Sequence, residues 1–160
     1  MAAKILLVLI AIFIIIQFFK PTLNHSNGKA KPNAIGNVYT TSSQITKVLG
    51  KACNDCHSND TKYPWYFRVQ PVAWWLNHHV EEGKHELNFD EFLSYTPKKQ
   101  DHKMKETIEQ VKNDKMPLNS YTWVHKEAKL TEQEQQLLMD WANQVRKEIT
   151  LKTGYTPKKK

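Results

Sequence analysis

The sequence predicts an all-helical domain. Apolar residues recur at helical spacing in several segments, and no segment of useful length alternates apolar and polar residues as a strand does. The chain of 160 residues is 40% hydrophobic and has 5 Gly, a composition that excludes disordered, collagen-like and linker-dominated proteins. Its length suits one compact domain with accessory segments.

An apolar run covers residues 5–19, between Lys4 and the pair Lys20-Pro21. As a helix the run reaches about 22 Å, short of a hydrocarbon core of about 30 Å, although the flanking lysines extend its usable length by reaching outward. A cleavable signal peptide would need small residues after the run, where Phe18 and Phe19 stand instead. Residues 1–20 are therefore predicted as a transmembrane anchor helix, with a removed signal peptide as the alternative. Both interpretations export the rest of the chain.

The remaining chain divides by composition. Residues 21–41 are polar and contain Pro and Gly, which predicts a linker. The helical patterns lie in residues 42–150, the predicted domain. The formal net charge is +7, and the basic tail, residues 151–160, is predicted to be solvated. Anionic lipid or an acidic protein is an alternative partner for the tail, and no nucleic-acid partner is predicted.

Two predicted helices flank a segment that contains both cysteines. The first begins near Ser42 or Ser43, either of which can cap it. Pro71 suits the first turn of the second helix, and Gly83 is its predicted end. The apolar faces consist of Ile45, Val48, Leu49, Ala52 and Cys53 in the first helix and of Val72, Trp75, Leu76, His79 and Val80 in the second.

Three further helices are predicted towards the C-terminus. A short one starts near Asn88 or Asp90 and ends at Pro97, and another follows it. The last begins with a capping box formed by Thr131 and Glu134. The apolar faces are Phe89, Phe92 and Leu93, then Met104, Ile108 and Val111, and finally Leu137, Leu138, Trp141, Ala142, Val145 and Ile149.

The only two cysteines form the motif Cys53-Asn-Asp-Cys56-His57. Cys-x-x-Cys-His is the attachment signature of haem c: the two thiols bond to two vinyl groups of the porphyrin, and the histidine becomes an axial iron ligand. A disulfide across so short a loop would restrain almost nothing, and a zinc site lacks a second ligand pair. A redox-active Cys-x-x-Cys pair normally follows a strand, and none is predicted here. The motif therefore predicts one covalent haem.

Four stretches of the sequence resemble one family. They are Ala-Cys-Asn-Asp-Cys-His-Ser-Asn-Asp-Thr-Lys-Tyr-Pro-Trp-Tyr at 52–66, Trp-Trp-Leu-Asn-His-His-Val-Glu-Glu-Gly at 74–83, Lys-Met-Pro-Leu-Asn-Ser-Tyr at 115–121 and Ala-Lys-Leu-Thr at 128–131. They resemble the bacterial haem-binding domain family of small, membrane-anchored c-type proteins. The order of helices, motif and Met-Pro loop is more distantly similar to class I cytochrome c, which implies a cytochrome c-like helical fold.

The resemblance to cytochrome c implies that Met116 is the distal iron ligand, and Pro117 stiffens its loop. His79 is the main rival, since it lies on an apolar helix face, and His78 and His85 are weaker ones. The remaining histidines outside the motif, His25, His102 and His125, are expected to face solvent.

The resemblance also implies a carbonyl that orients the His57 ring, for which Pro71 is the better candidate and Pro64 the weaker. Predicted pocket and core residues are Tyr63, Trp65, Tyr66, Pro71, Trp74, Trp75 and Tyr121. The chain departs from class I cytochrome c at Ile45 and Leu49, where a glycine and an aromatic residue are usual, so the spacing of the terminal helices is expected to differ.

The predicted function is electron transfer by a monomeric, one-haem protein in a bacterial inner membrane, with its domain in the periplasm and a redox partner that the sequence does not identify. Two axial ligands leave no open iron site, which disfavours an enzyme. A haem peroxidase using His79, or a haem-based sensor, are the alternatives.

Overall fold

The computed structural model describes residues 1–157, so the last three residues of the predicted basic tail lie outside it. Within this range the chain forms seven α-helices and no strand, which confirms the all-helical prediction. The helices are α1 (Ala2–Ile16), α2 (Ser43–Ala52), α3 (Asn54–His57), α4 (Val72–Glu86), α5 (Pro97–Lys112), α6 (Asn119–Val124) and α7 (Glu132–Thr153). Across residues 1–157, no helix combines the length and the apolar character that crossing a membrane requires.

Helices α5 and α7 pack along each other, and both contribute to the core. Met104 and Val111 are buried on α5. In the predicted stripe of α7, Leu138, Trp141, Ala142, Val145 and Ile149 are buried and Leu137 is partly buried. The guanidinium of Arg146 reaches the buried carboxylate of Asp101 at 2.7 Å and ties the two helices together. Helix α2 packs against α7, and Ile45 is buried in the core.

Side-chain caps begin three of these helices, and Thr96 is the cap of α5, accepting from the Lys99 amide. Ser42 caps α2 by accepting from the Ile45 amide, and the predicted capping box of Thr131 and Glu134 is present at α7. Pro97 begins α5 instead of ending the preceding short helix, because its missing N–H costs nothing in a first turn. The preceding segment forms only a 3₁₀ turn at Phe92–Ser94.

Helix α4 differs from its prediction in two ways. Val80 is buried as predicted, but Val72 and Trp75 are exposed and Ala73 is buried. Gly83 lies inside the helix and does not end it. Gly83 faces Cys56 at a distance that leaves no space for a side chain.

Part of the predicted linker, residues 21–41, packs against the domain. Ile35 and Tyr39 are buried in the core cluster. Asn24 donates to the Ser58 carbonyl at 2.9 Å, and Lys31 lies 2.6 Å from a carboxylate oxygen of Asp60. The polar side chains of this segment form hydrogen bonds and ion pairs with the domain surface. Its few buried apolar side chains complete the core.

Candidate functional site

Both cysteines and the neighbouring histidine lie at a sharp break between two helices. Cys53 ends α2 and begins the single turn of α3, so its carbonyl accepts from the amides of Cys56 and His57 at 3.1 and 2.9 Å. This turn brings the three motif residues to one cleft. The cysteines do not form a disulfide with each other.

The electrostatics of the thiols oppose a redox role for the free pair. Burial raises the pKa of Cys53 to about 12, and burial with the nearby Asp55 carboxylate raises the pKa of Cys56 to about 11. A redox-active Cys-x-x-Cys pair instead depends on a lowered pKa that keeps one sulfur as thiolate. At neutral pH these two side chains are protonated thiols.

The imidazole of His57 is oriented by a backbone carbonyl. Its Nδ1 donates to the Leu87 carbonyl at 2.8 Å; since a carbonyl only accepts, the proton is on Nδ1 and the Nε2 lone pair is free. Burial lowers the pKa of His57, which favours the neutral ring that binds metals. The prediction that Pro71 or Pro64 supplies this carbonyl is wrong, because the chain leaving α4 returns past the motif at Leu87.

Gly83 lets α4 approach the motif closely. A Cβ atom at this position would lie 2.7 Å from the Cys56 carbonyl oxygen and 2.9 Å from the Cys56 Cβ. No side chain fits there without movement of one of the two helices. The Gly83 hydrogen is therefore the spacer between α4 and α3, a role that the sequence analysis missed when it treated this glycine as a helix end.

Two adjoining cavities surround the motif. One of about 640 Å³ lies between α3, α4 and the segment 116–121, and one of about 320 Å³ lies on the core side. Cys53, His57 and Met116 line both. The apolar wall of the inner cavity consists of Leu49, Leu87, Phe89, Val111, Leu130 and Leu138. Mostly apolar cavities of this size hold cofactors, and the two thiols, the free imidazole nitrogen and the thioether of Met116 fit a haem.

Met116 follows α5 on a firmly held loop. The amides of Lys115 and Met116 both donate to the Gln110 carbonyl, at 2.9 and 3.3 Å. Asp114 has a left-handed backbone conformation, φ 52°, and its carboxylate accepts from Gln135 on α7 at 2.6 Å. The loop therefore holds the Met116 thioether at the wall of both cavities.

Helix α6 is hydrogen-bonded to the motif. The Tyr121 hydroxyl donates to the Asp55 carboxylate at 2.6 Å, so it is already occupied by a protein partner. Burial and this carboxylate raise the pKa of Tyr121, which remains a donor at any physiological pH. Because α6 begins two residues after Pro117, the bond fixes the Met116 loop relative to α3.

Removing the Tyr121 hydroxyl is therefore expected to weaken the domain. Tyr121→Phe leaves a half-buried carboxylate with one partner fewer and is expected to lower the free energy of unfolding by about 1–2 kcal/mol. Chemical denaturation of Tyr121→Phe and of the matched Tyr155→Phe variant measures this. The Tyr155 hydroxyl makes no hydrogen bond to any residue within 1–157, so its loss is expected to be neutral. Equal effects would contradict the assignment.

The other predicted pocket residues separate into two groups. Tyr121 lines the large cavity and, together with Tyr63 and Trp75, a third, smaller one of about 60 Å³ between α4 and α6. Trp65 and Pro71 are exposed and line none of these three cavities. Trp65 rests edge-on against Tyr66 at the surface, where no helix covers it.

The histidines outside the motif also separate. His78, His79 and His85 line the large cavity, and the His79 ring contacts Trp75 edge-on at 4.5 Å. His25 and His102 are exposed as predicted. His125 is not: its Nε2 lies 2.8 Å from the Tyr66 hydroxyl and its ring stacks on Tyr121.

Comparison with known proteins agrees with this site. Residues 11–144 match the family model described as Haem-binding domain, which is most of the chain. No curated protein and no solved structure shows significant similarity to it. The chain therefore belongs to the haem-binding domain family.

Proposed function

We propose that this protein is a monohaem c-type cytochrome that transfers electrons. Cys53 and Cys56 would hold the haem through thioether bonds, and His57 and Met116 would be the two axial ligands. The observation that carries the proposal is the His57 ring: its Nδ1 proton is committed to the Leu87 carbonyl, which leaves Nε2 as the only lone pair of the imidazole, at a cavity that Met116 also lines. A bound haem supplies one-electron chemistry.

The surroundings of these residues favour a carrier. One wall of the inner cavity is apolar, which lowers the local polarity beside the motif, although Glu86, Lys103 and Glu106 also line this cavity. The Leu87 carbonyl holds the His57 ring, and the Gln110 carbonyl and Gln135 hold the Met116 loop, so both ligand groups are fixed before any electron arrives. A site that does not rearrange during the reaction suits electron transfer.

A peroxidase is the second candidate, because His79 lines the large cavity and could act as an acid or base there. It would require Met116 to leave the iron, which the anchored loop opposes. We therefore propose that the chain transfers electrons and does not act as a peroxidase.

We further propose that α1 attaches the protein to a bacterial inner membrane, with the domain in the periplasm, where haem c is attached. Helix α1 has no buried residue, and its apolar side chains are exposed on all sides. A helix that is apolar all round requires an apolar environment. The protein is proposed to act as a monomer that passes electrons to a separate redox protein.

Voltammetry and ligand binding on the protein matured in a periplasm test the proposal. The expected results are a haem that stays bound in denaturant, a reversible one-electron couple, and a ferrous form that does not bind carbon monoxide. The matched variant is His79→Ala, which is expected to retain all three properties. Peroxide turnover by the wild type that His79→Ala abolishes would establish the enzyme instead, and rapid binding of carbon monoxide would point to a sensor.

A further inference from the structure

Exposed apolar side chains surround the point where α1 meets the domain. The exposed fractions of this group, the α1-adjacent patch, are Phe18 81%, Phe19 62%, Val69 37%, Val72 37% and Trp74 39%. They come from two separate segments, residues 18–19 after α1 and residues 69–74 at the start of α4. Contiguous apolar surface of this kind marks a site of contact with another apolar phase.

Hydrogen bonds make α1 and the patch one unit. Gln17 and Gln70 bond reciprocally: the Gln70 amide donates to the Gln17 side chain at 2.9 Å, and the Gln17 side chain donates to the Gln70 carbonyl at 3.3 Å. The Phe19 carbonyl accepts from the side chains of both Gln70 and Trp74 at 2.8 Å. Gln70 is itself fully buried. The C-terminal end of α1 is therefore fixed to the domain and is not a flexible hinge.

The length of α1 leaves room for the patch in a bilayer. Its 15 residues reach about 22 Å, about 8 Å less than a hydrocarbon core of about 30 Å. Apolar surfaces that lie on a membrane penetrate it by about 5–10 Å. If the side chains of the patch enter the bilayer to this depth, they make up the roughly 8 Å by which α1 is shorter than the hydrocarbon core. A Trp at the boundary is typical of such surfaces.

We infer that the α1-adjacent patch inserts into the lipid surface beside α1 and holds the domain against the bilayer in one orientation. The inference rests on the proposed membrane attachment of α1. Lys20 and Arg68 are exposed beside the patch and carry the charge that anionic headgroups attract. The carbonyl–indole contact of Phe19 and Trp74 fixes the orientation of α4, and through Gly83 that of the cavities, relative to the membrane.

A fluorophore on an introduced cysteine tests the inference in the full-length holoprotein, where both native thiols would be bonded to haem. Val8→Cys, Val72→Cys and Val124→Cys place the label on α1, on the patch and on α6, respectively. Val124 is the control because it is also an exposed valine on a helix. The readout is the emission in vesicles of phosphatidylcholine and phosphatidylglycerol, divided by the emission in the same vesicles made with brominated chains, a ratio that cancels quenching by haem.

The expected result is quenching of at least about twofold at positions 8 and 72 and none at position 124, as for a surface buried at the acyl boundary. Quenching at position 8 without quenching at position 72 would contradict insertion of the patch into lipid, while membrane attachment through α1 would still be supported. No quenching at 8 would overturn both. Blue-shifted emission at 72 without quenching would identify a protein contact, such as a second copy of the chain, and would also overturn the inference.

Discussion

Met116→Ala is expected to convert a low-spin, six-coordinate haem into a high-spin form with an open iron site. The visible spectrum of the ferric protein loses the weak Met–iron charge-transfer band, and the ferrous protein gains binding of carbon monoxide. Because a Met/His pair raises the reduction potential, the midpoint potential is expected to fall by on the order of 0.1 V, within the range of about 0.8 V that axial ligands control. Magnetic circular dichroism of the purified variant measures the ligand change directly.

Met139→Ala is the matched control for this prediction. Met139 is partly buried on α7 and packs on the core, but it lines neither cavity at the motif. Its removal costs stability and leaves the spectrum as in the wild type. If Met116→Ala retains the wild-type ferric spectrum, Met116 is not the distal ligand, and the histidines of α4 become the candidates to replace next.

Gly83→Ala is expected to reduce both stability and haem loading, although alanine is the better helix former. The added Cβ collides with the Cys56 carbonyl oxygen and Cβ, so α3 and α4 must separate. Overpacking of this kind costs about 1–3 kcal/mol, and the displaced motif is expected to accept haem less efficiently. The measurements are chemical denaturation and the ratio of haem to protein in material matured under identical conditions.

Gly50→Ala is the matched control and is expected to stabilise the protein in the same experiment. Gly50 also lies inside a helix, α2, but a Cβ there meets no atom within 4 Å. The substitution is expected to raise the free energy of unfolding by up to about 1 kcal/mol and to leave haem loading unchanged. A Gly83→Ala protein that behaves like Gly50→Ala would show that the close approach of α4 to the motif is not needed.

Local patterns in the sequence were sufficient to predict the Cys-x-x-Cys-His site and the longest helix, α7. Cys53, Cys56 and His57 are adjacent in the chain, so their juxtaposition needs no tertiary information. The stripe and capping box of α7 repeat within one element and do not depend on its neighbours. These are the features whose physical cause lies within a few residues of the signal.

Features that depend on distant neighbours could not be predicted. The acceptor of His57 is a backbone carbonyl, which every residue has, so no side chain marks Leu87 for this role. A glycine at position 83 is compatible both with the end of a helix and with a close contact between helices. Only the position of Cys56 in the folded structure distinguishes these two roles. Ile35 and Tyr39 are isolated apolar residues in a polar segment, where no periodicity reveals that they are buried.

The segment 35–40 has a consequence for how the chain folds. The Trp141 indole donates to the Thr40 carbonyl at 3.1 Å, across 101 positions of sequence, and Lys152 contacts the Val38 carbonyl. Contacts of such long range form late because the chain must first close a large loop. A polypeptide that stops before α7 lacks the surface that covers residues 35–40, so a nascent or truncated chain stays open until its C-terminal helix is present. We therefore expect the two ends of the domain to acquire their structure together.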